Sequence, residues 1–110
     1  MRNSFWEQRR HVEHHLELRA LGTLGCIAAL TSDSGSVRRT LDRLRSLPTR
    51  GGGAELQQAR IMAAAGNRDA MMRLLVAAAS HGYQGGDLMP IEFLPYQDYR
   101  PFSEFIFPSN

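Results

Sequence analysis

Apolar residues recur along most of the chain at helical rather than strand spacing. Val37, Leu41 and Leu44 stand at i, i+4 and i+7, with Arg38, Arg39, Asp42, Arg43 and Arg45 on the other side. That is the stripe of an amphipathic helix over residues 35–47, stopped by Pro48. Upstream, Phe5, Val12, Leu16, Leu24 and Ile27 follow the same spacing, and no Gly or Pro intervenes before Gly22. Ser4 and Glu7 form a capping box ahead of them. The pattern predicts one long helix over 5–31, bent near Gly22 and Gly25. The run Thr31-Ser32-Asp33-Ser34-Gly35 ends it and caps its successor.

The second half repeats this alternation. Leu56, Ala59, Ile61, Met62 and Ala63 predict a helix over 54–65. Gly66 suits its left-handed end, and Asn67 suits the next N-cap. A fourth helix over 68–80 starts with Asp69 in its first turn, where negative charge is favoured. Met71, Met72, Leu74, Leu75, Val76 and Ala77 to Ala79 leave little of its circumference polar, so it needs neighbours on more than one side. Between the two pairs, Thr49 to Gly53 contains three consecutive glycines and reads as a flexible joint. Residues 83–100 are rich in Gly, Pro and Tyr, and Pro101 opens a short terminal helix over 101–107. Phe93, Tyr96, Phe102, Phe105 and Phe107 are too many aromatics for a free tail, and are expected to pack over the open end of the helical stack.

Sliding the chain on itself so that position i meets i+34 aligns one helix pair with the other. Gly25 meets Ala59, Ile27 meets Ile61, Ala29 meets Ala63, Asp33 meets Asn67, Val37 meets Met71 and Leu41 meets Leu75. Small residues match where helices approach closely, and caps match caps. Residues 18–82 therefore resemble two degenerate tetratricopeptide repeats, each an antiparallel helix pair of about 34 residues. The segment from Ala59 to Leu75 carries the closest likeness, with a small residue on the first helix, a Gly-Asn-Arg-Asp turn and an apolar second helix. Leu94 to Phe105 is similar to the C-terminal closing segment of bacterial tetratricopeptide proteins attached to DNA-binding or nucleotide-cyclase domains. The usual aromatics of the first helix are absent, with Ala28 and Met62 in their place, and a repeat-ending proline occurs only as Pro48. The ankyrin repeat has a similar period, but its Thr-Pro-Leu-His opening is missing, and Gly52-Gly53-Ala54-Glu55 stands there instead.

Length and composition narrow the class. The chain has 110 residues, room for one small domain. Hydrophobic residues make up 43% and charged residues 22%, an ordinary globular balance. All 13 basic residues are arginine, which points to a GC-rich bacterial genome. Charge is uneven: residues 1–50 hold nine arginines against five acids, and residues 51–110 four against six. That mild dipole is not a nucleic-acid footprint. The uncharged run from Leu21 to Leu30 is too short to cross a bilayer. The segment from Met1 to Arg19 is charged where a secretory signal needs an apolar stretch, so the chain is read as cytoplasmic. A single cysteine, Cys26, excludes an internal disulfide.

Several motifs carry potential chemistry. His11 and His15 share a helix face at i, i+4, with Glu7 a turn earlier, a spacing that can bind zinc or nickel. The segment His11-Val12-Glu13-His14-His15 departs from the metalloprotease signature because its Glu is at the wrong offset. Cys26 lies among Leu24, Ile27 and Ala28 with no cue for a general base. Ser32 to Ser36 reads as a cap, and Gly51 to Gly53 lacks the Lys and Ser/Thr of a phosphate loop. Arg38, Arg39, Arg43, Arg45 and Arg50 can meet phosphates, without a recognition helix or aromatic platform.

The resemblance implies a different surface. In the tetratricopeptide family the first helix of each repeat lines a concave groove. Carried onto this chain, that groove holds Arg19, Gly22, Cys26, Ala29, Leu56, Arg60 and Ala63. Arg19, Cys26, Leu56 and Arg60 are its candidate partner-binding residues, with Arg19 and Arg60 gripping a carboxylate or acidic peptide. The expectation is an all-α single domain over 1–110: an N-terminal helix extension at 5–17, repeats at 18–50 and 51–82, and an aromatic-rich capping segment at 83–110. It would be a non-enzymatic protein-interaction module needing no cofactor or metal, a fragment of a larger bacterial regulator. The alternatives are a metal-binding or small enzyme domain on His11 and His15, and an Arg-rich nucleic-acid binder. Two repeats are one short of a comfortable array, so the long N-terminal helix and the C-terminal segment, or a second copy of the chain, are the candidates to complete it.

Overall fold

Two helix ends, at Ser32-Asp33 and at Gly66-Asn67, are built in the same way. In the computed structural model the described backbone covers residues 4–47, 50–83 and 90–106, with side chains described at 14, 16–47, 51–83 and 90–106. The α-helices are α1 (Ser4–Leu30), α2 (Ser34–Arg45), α3 (Gly53–Ala64), α4 (Arg68–Ser80) and α5 (Arg100–Ile106). Asp33 caps α2 by accepting from Ser36 N at 3.1 Å, and Asn67 caps α4 by accepting from Ala70 N at 3.1 Å. Just before each cap the chain turns left-handed, at Ser32 (φ 61°) and Gly66 (φ 81°). Each turn closes through the cap residue's own amide: Asp33 N donates to Ala28 O at 2.8 Å, and Asn67 N to Met62 O at 2.9 Å. Glycine suits this conformation at Gly66, whereas Ser32 adopts it as a side-chain-bearing residue.

α3 is the centre of the packing. On one side, α1 and α2 pack Leu18, Cys26, Leu41 and Leu44 against Ala54 and Ile61. On the other, Ala59 and Ala63 of α3 join Met71 and Leu75 of α4 with Phe93 and Phe102. Ile61, Met71 and Phe102 are fully buried, each worth about 1.5–3 kcal/mol of transfer free energy. α1 runs unbroken from Ser4 to Leu30 through Gly22 and Gly25. They mark contact: a Cβ at Gly25 would fall on Ile61, and one at Gly22 on Gln57 and Arg60. The helices need bare backbone there to come together.

The glycine run between the pairs also departs from the sequence expectation. Gly51 and Gly52 take left-handed φ values of 81° and 76°, and Gly53 already belongs to α3. Gly51 N donates to His81 O at 2.9 Å, and a Cβ at Gly52 would strike Ala78 O. These residues form a defined turn against the end of α4. Pro48 and Thr49, the rest of that joint, lie outside the described residues.

Spacing gives no helical signal at 91–96, yet Ile91–Tyr96 forms a 3-10 helix lying on α3. Its Phe93 ring stands 5.7 Å from Phe102 of α5 at an interplanar angle of 48°, a favourable tilted pair. Tyr96 donates its hydroxyl to Ala63 O at 2.9 Å, and Arg68 stacks over Tyr99 at 4.7 Å. Phe107 lies outside the described residues. The molecule is a slab of 48 × 41 × 19 Å, about two helices thick. No strand occurs among the described residues, and no helix there is long and apolar enough to cross a membrane.

Candidate interaction surface

The candidate partner-binding residues on α1 and α3 differ sharply in environment. Arg60 of α3 does not point to open solvent. Its Nε donates to Glu92 Oε1 at 3.0 Å and its Nη2 to Glu92 Oε2 at 3.3 Å, a two-point grip on one carboxylate. Its Nη1 donates to Gln57 Oε1 at 2.6 Å. Both partners of the ion pair are only 14% exposed. Glu92 is delivered by the 3-10 helix, where the buried Phe93 anchors the turn on α3 and α4. Gly22 makes this possible from the α1 side, because any side chain there would displace Gln57 and Arg60.

The ion pair sets the local electrostatics. Burial pushes the Glu92 carboxyl up, but the hydrogen bonds and charge of Arg60 outweigh it and hold the group below its ordinary value. Burial also opposes the charge on Arg60, and Glu92 more than restores it. Cys26 is buried beside this pair. Burial, followed by the charge of Glu92, pushes its thiol up to about 11, with Arg60 opposing.

The other groove residues do not converge on Arg60. Leu56 is half-buried against the cluster of Ala59, Phe93 and Phe102. Arg19 is exposed on α1, one turn before Gly22, with no hydrogen bond or ion pair among the described residues. The structure thus brings Arg60 and Cys26 together, makes Leu56 a packing residue and leaves Arg19 in solvent.

Two residues of this constellation had no place in the sequence reading. Glu92 is a single acid among Pro90, Ile91, Phe93, Leu94 and Pro95, and a lone carboxylate in so apolar a run is a signal for a buried cationic partner. Gln57 sits on a helix face that spacing alone assigns to packing. Elsewhere, Glu55 is 6% exposed and its Oε2 lies 2.6 Å from His81 Nδ1, tying the start of α3 to the end of α4. Glu55 Oε1 is buried with no hydrogen-bond partner among the described residues.

The remaining candidates separate from this surface. Arg39 donates to Ser36 Oγ at 2.9 Å, Arg43 to Glu17 Oε2 at 2.8 Å and Arg45 to Asp42 Oδ1 at 3.3 Å, so much of the arginine face of α2 is paired within the chain. The side chains of Glu7, His11, His15 and Arg50 lie outside the described residues. Among those described, no group of three or more His, Cys, Asp or Glu comes together to hold a metal. The chain matches no protein-family model, no curated protein and no solved structure.

Proposed function

We propose that the chain is a non-enzymatic protein–protein interaction module of the tetratricopeptide-like kind, taking an acidic, apolar-flanked segment of a partner against α3. The observation that carries this reading is the two-point grip of Arg60 on Glu92. A carboxylate between Ile91 and Phe93 already occupies Arg60 in cis, and it is a sample of the ligand chemistry that suits this arginine. A partner segment of the same kind competes with residues 91–96 for Arg60 and adds the exposed Arg19. The correspondence of helix ends and caps between the two pairs supports the repeat reading.

Fluorescence anisotropy with a labelled peptide of residues 90–96 tests the reading. The wild-type chain is expected to bind weakly, because its own segment holds the site at an effective concentration of about millimolar. Glu92→Ala removes the internal carboxylate and is expected to tighten binding at least tenfold, and adding Arg60→Glu is expected to abolish it. Circular dichroism checks that each variant keeps its helicity. A folded Glu92→Ala chain that ignores the peptide at millimolar concentration refutes the proposal.

A further inference from the structure

One helix face is covered on α3 and bare on α1. Ala54, Gln58 and Ile61 of α3 are 1%, 6% and 0% exposed, and Ala54 and Ile61 pack under α1 and α2. The corresponding positions on α1, at the offset that pairs Ile27 with Ile61, are Ala20, Leu24 and Ile27. Ala20 is exposed, and Leu24 and Ile27 are 59% and 53% exposed. Leu16 and Leu30 extend the same stripe at 57% and 70%. The residue chemistry is that of a packed face, but none of the described residues lies on it.

The clefts beside these faces show what is missing. A cleft of about 230 Å³ opens where α2, α3 and α4 meet, with Gln58, Met62, Arg73 and Leu74 on its floor and Leu41 and Arg45 of α2 as its outer wall. At the same offset, Leu24, Ala28, Arg39 and Thr40 line a second cleft. This one is wider, about 310 Å³, and has no wall equivalent to α2. The shape that completes such a face is therefore one more helix packed along α1.

We infer that this edge is a self-association surface, where two copies of the chain pack α1 against α1 about a two-fold axis near Thr23 and Leu24. Head-to-tail stacking is closed off, because the opposite face of α3 is taken by Phe93, Phe102 and the 91–96 segment. A contact between like edges is the arrangement left, and it closes after two copies. The stripe is self-complementary when antiparallel: Leu16 falls opposite Leu30 of the second copy, and Ala20 opposite its Ile27. Each copy contributes roughly 400 Å² of apolar side chain, within the range of the largest patches on single proteins, which are often functional. With the polar rim, the pair buries on the order of 1,200 Å², the lower end for stable interfaces, which gives a dimer that dissociates on dilution. The inference rests on the correspondence between α1 and α3 and does not depend on peptide binding at Arg60.

Light scattering and sedimentation of the full chain test it. Wild type is expected at twice the 12.3 kDa monomer mass at high concentration, falling toward the monomer on dilution. Ile27→Glu, and separately Leu24→Glu, is expected to hold the monomer mass throughout with unchanged helicity, since both side chains are exposed within one copy. Thr23→Cys, beside the axis, is expected to form an interchain disulfide on mild oxidation. A wild-type monomer up to about 1 mM overturns the inference. Variants that dimerise like wild type overturn it equally, and a dimer that Thr23→Cys does not link overturns the proposed register.

Discussion

Removing the Glu92 carboxylate while keeping its shape, as Glu92→Gln, isolates the electrostatic contribution of the 91–96 segment. In the wild type Arg60 is 14% exposed and makes two hydrogen bonds to Glu92 and one to Gln57. The variant keeps the Gln57 contact and leaves a guanidinium that is only 14% exposed facing a neutral amide. Breaking a fully buried pair costs about 3–5 kcal/mol, and an exposed one about 0–1 kcal/mol. Residual exposure lets water reach the charge, so the expected loss lies between them, about 2 kcal/mol at neutral pH. Urea unfolding followed by circular dichroism reads this as a lower midpoint with an unchanged slope. The pH dependence gives a second handle. Arg60 holds the folded-state carboxyl below its ordinary value, near 4.3 in an unfolded chain. Its contribution is therefore complete above that value and is lost as pH falls through the lower folded-state value. The stability gap between wild type and Glu92→Gln should close in acid. A gap below about 0.5 kcal/mol at neutral pH, or one that widens on acidification, refutes the reasoning.

Three further outcomes follow from the geometry. Gly25→Val drives side-chain atoms into the fully buried Ile61 and should cost about 1–3 kcal/mol in the same urea assay. Asp33→Ala and Asn67→Ala remove equivalent caps and should each cost about 1 kcal/mol, with similar losses at the two sites. Cys26 should react with a thiol-specific reagent about a hundredfold or more slowly in the native chain than in urea, because it is buried and held protonated.

Helix boundaries were legible because their determinants are local. Asp33 and Asn67 place the starts of α2 and α4 within a residue of the observed positions, and Gly66 marks the turn before α4. Spacing also put Leu41, Leu44 and Ile61 on inward faces. What stayed hidden depends on partners distant in sequence. Arg60 and Glu92 are 32 residues apart, so no periodicity in either segment joins them. Gly22 and Gly25 read alone as points where glycine weakens a helix, and only the packing shows that they admit side chains of α3. Gly51 and Gly52 read alone as a loose joint, yet Gly51 N donates to His81 O and a Cβ at Gly52 would strike Ala78 O. Burial of Ile61 and exposure of Ile27 are indistinguishable in the pattern, since both are isoleucines in helical segments, 34 residues apart. Only the stack's order decides which face is covered.

Those two isoleucines provide the most direct measurement. Methyl NMR of the full chain with a soluble paramagnetic probe reads the solvent exposure of each side chain separately. At low concentration Ile27 is expected to relax strongly and Ile61 to be protected, in keeping with their 53% and 0% exposure. Raising the concentration should protect Ile27 selectively as its face is covered. Equal protection of both methyls in dilute solution, or equal exposure of both, would contradict a stack that is closed at one edge by its own 91–106 segment and open at the other.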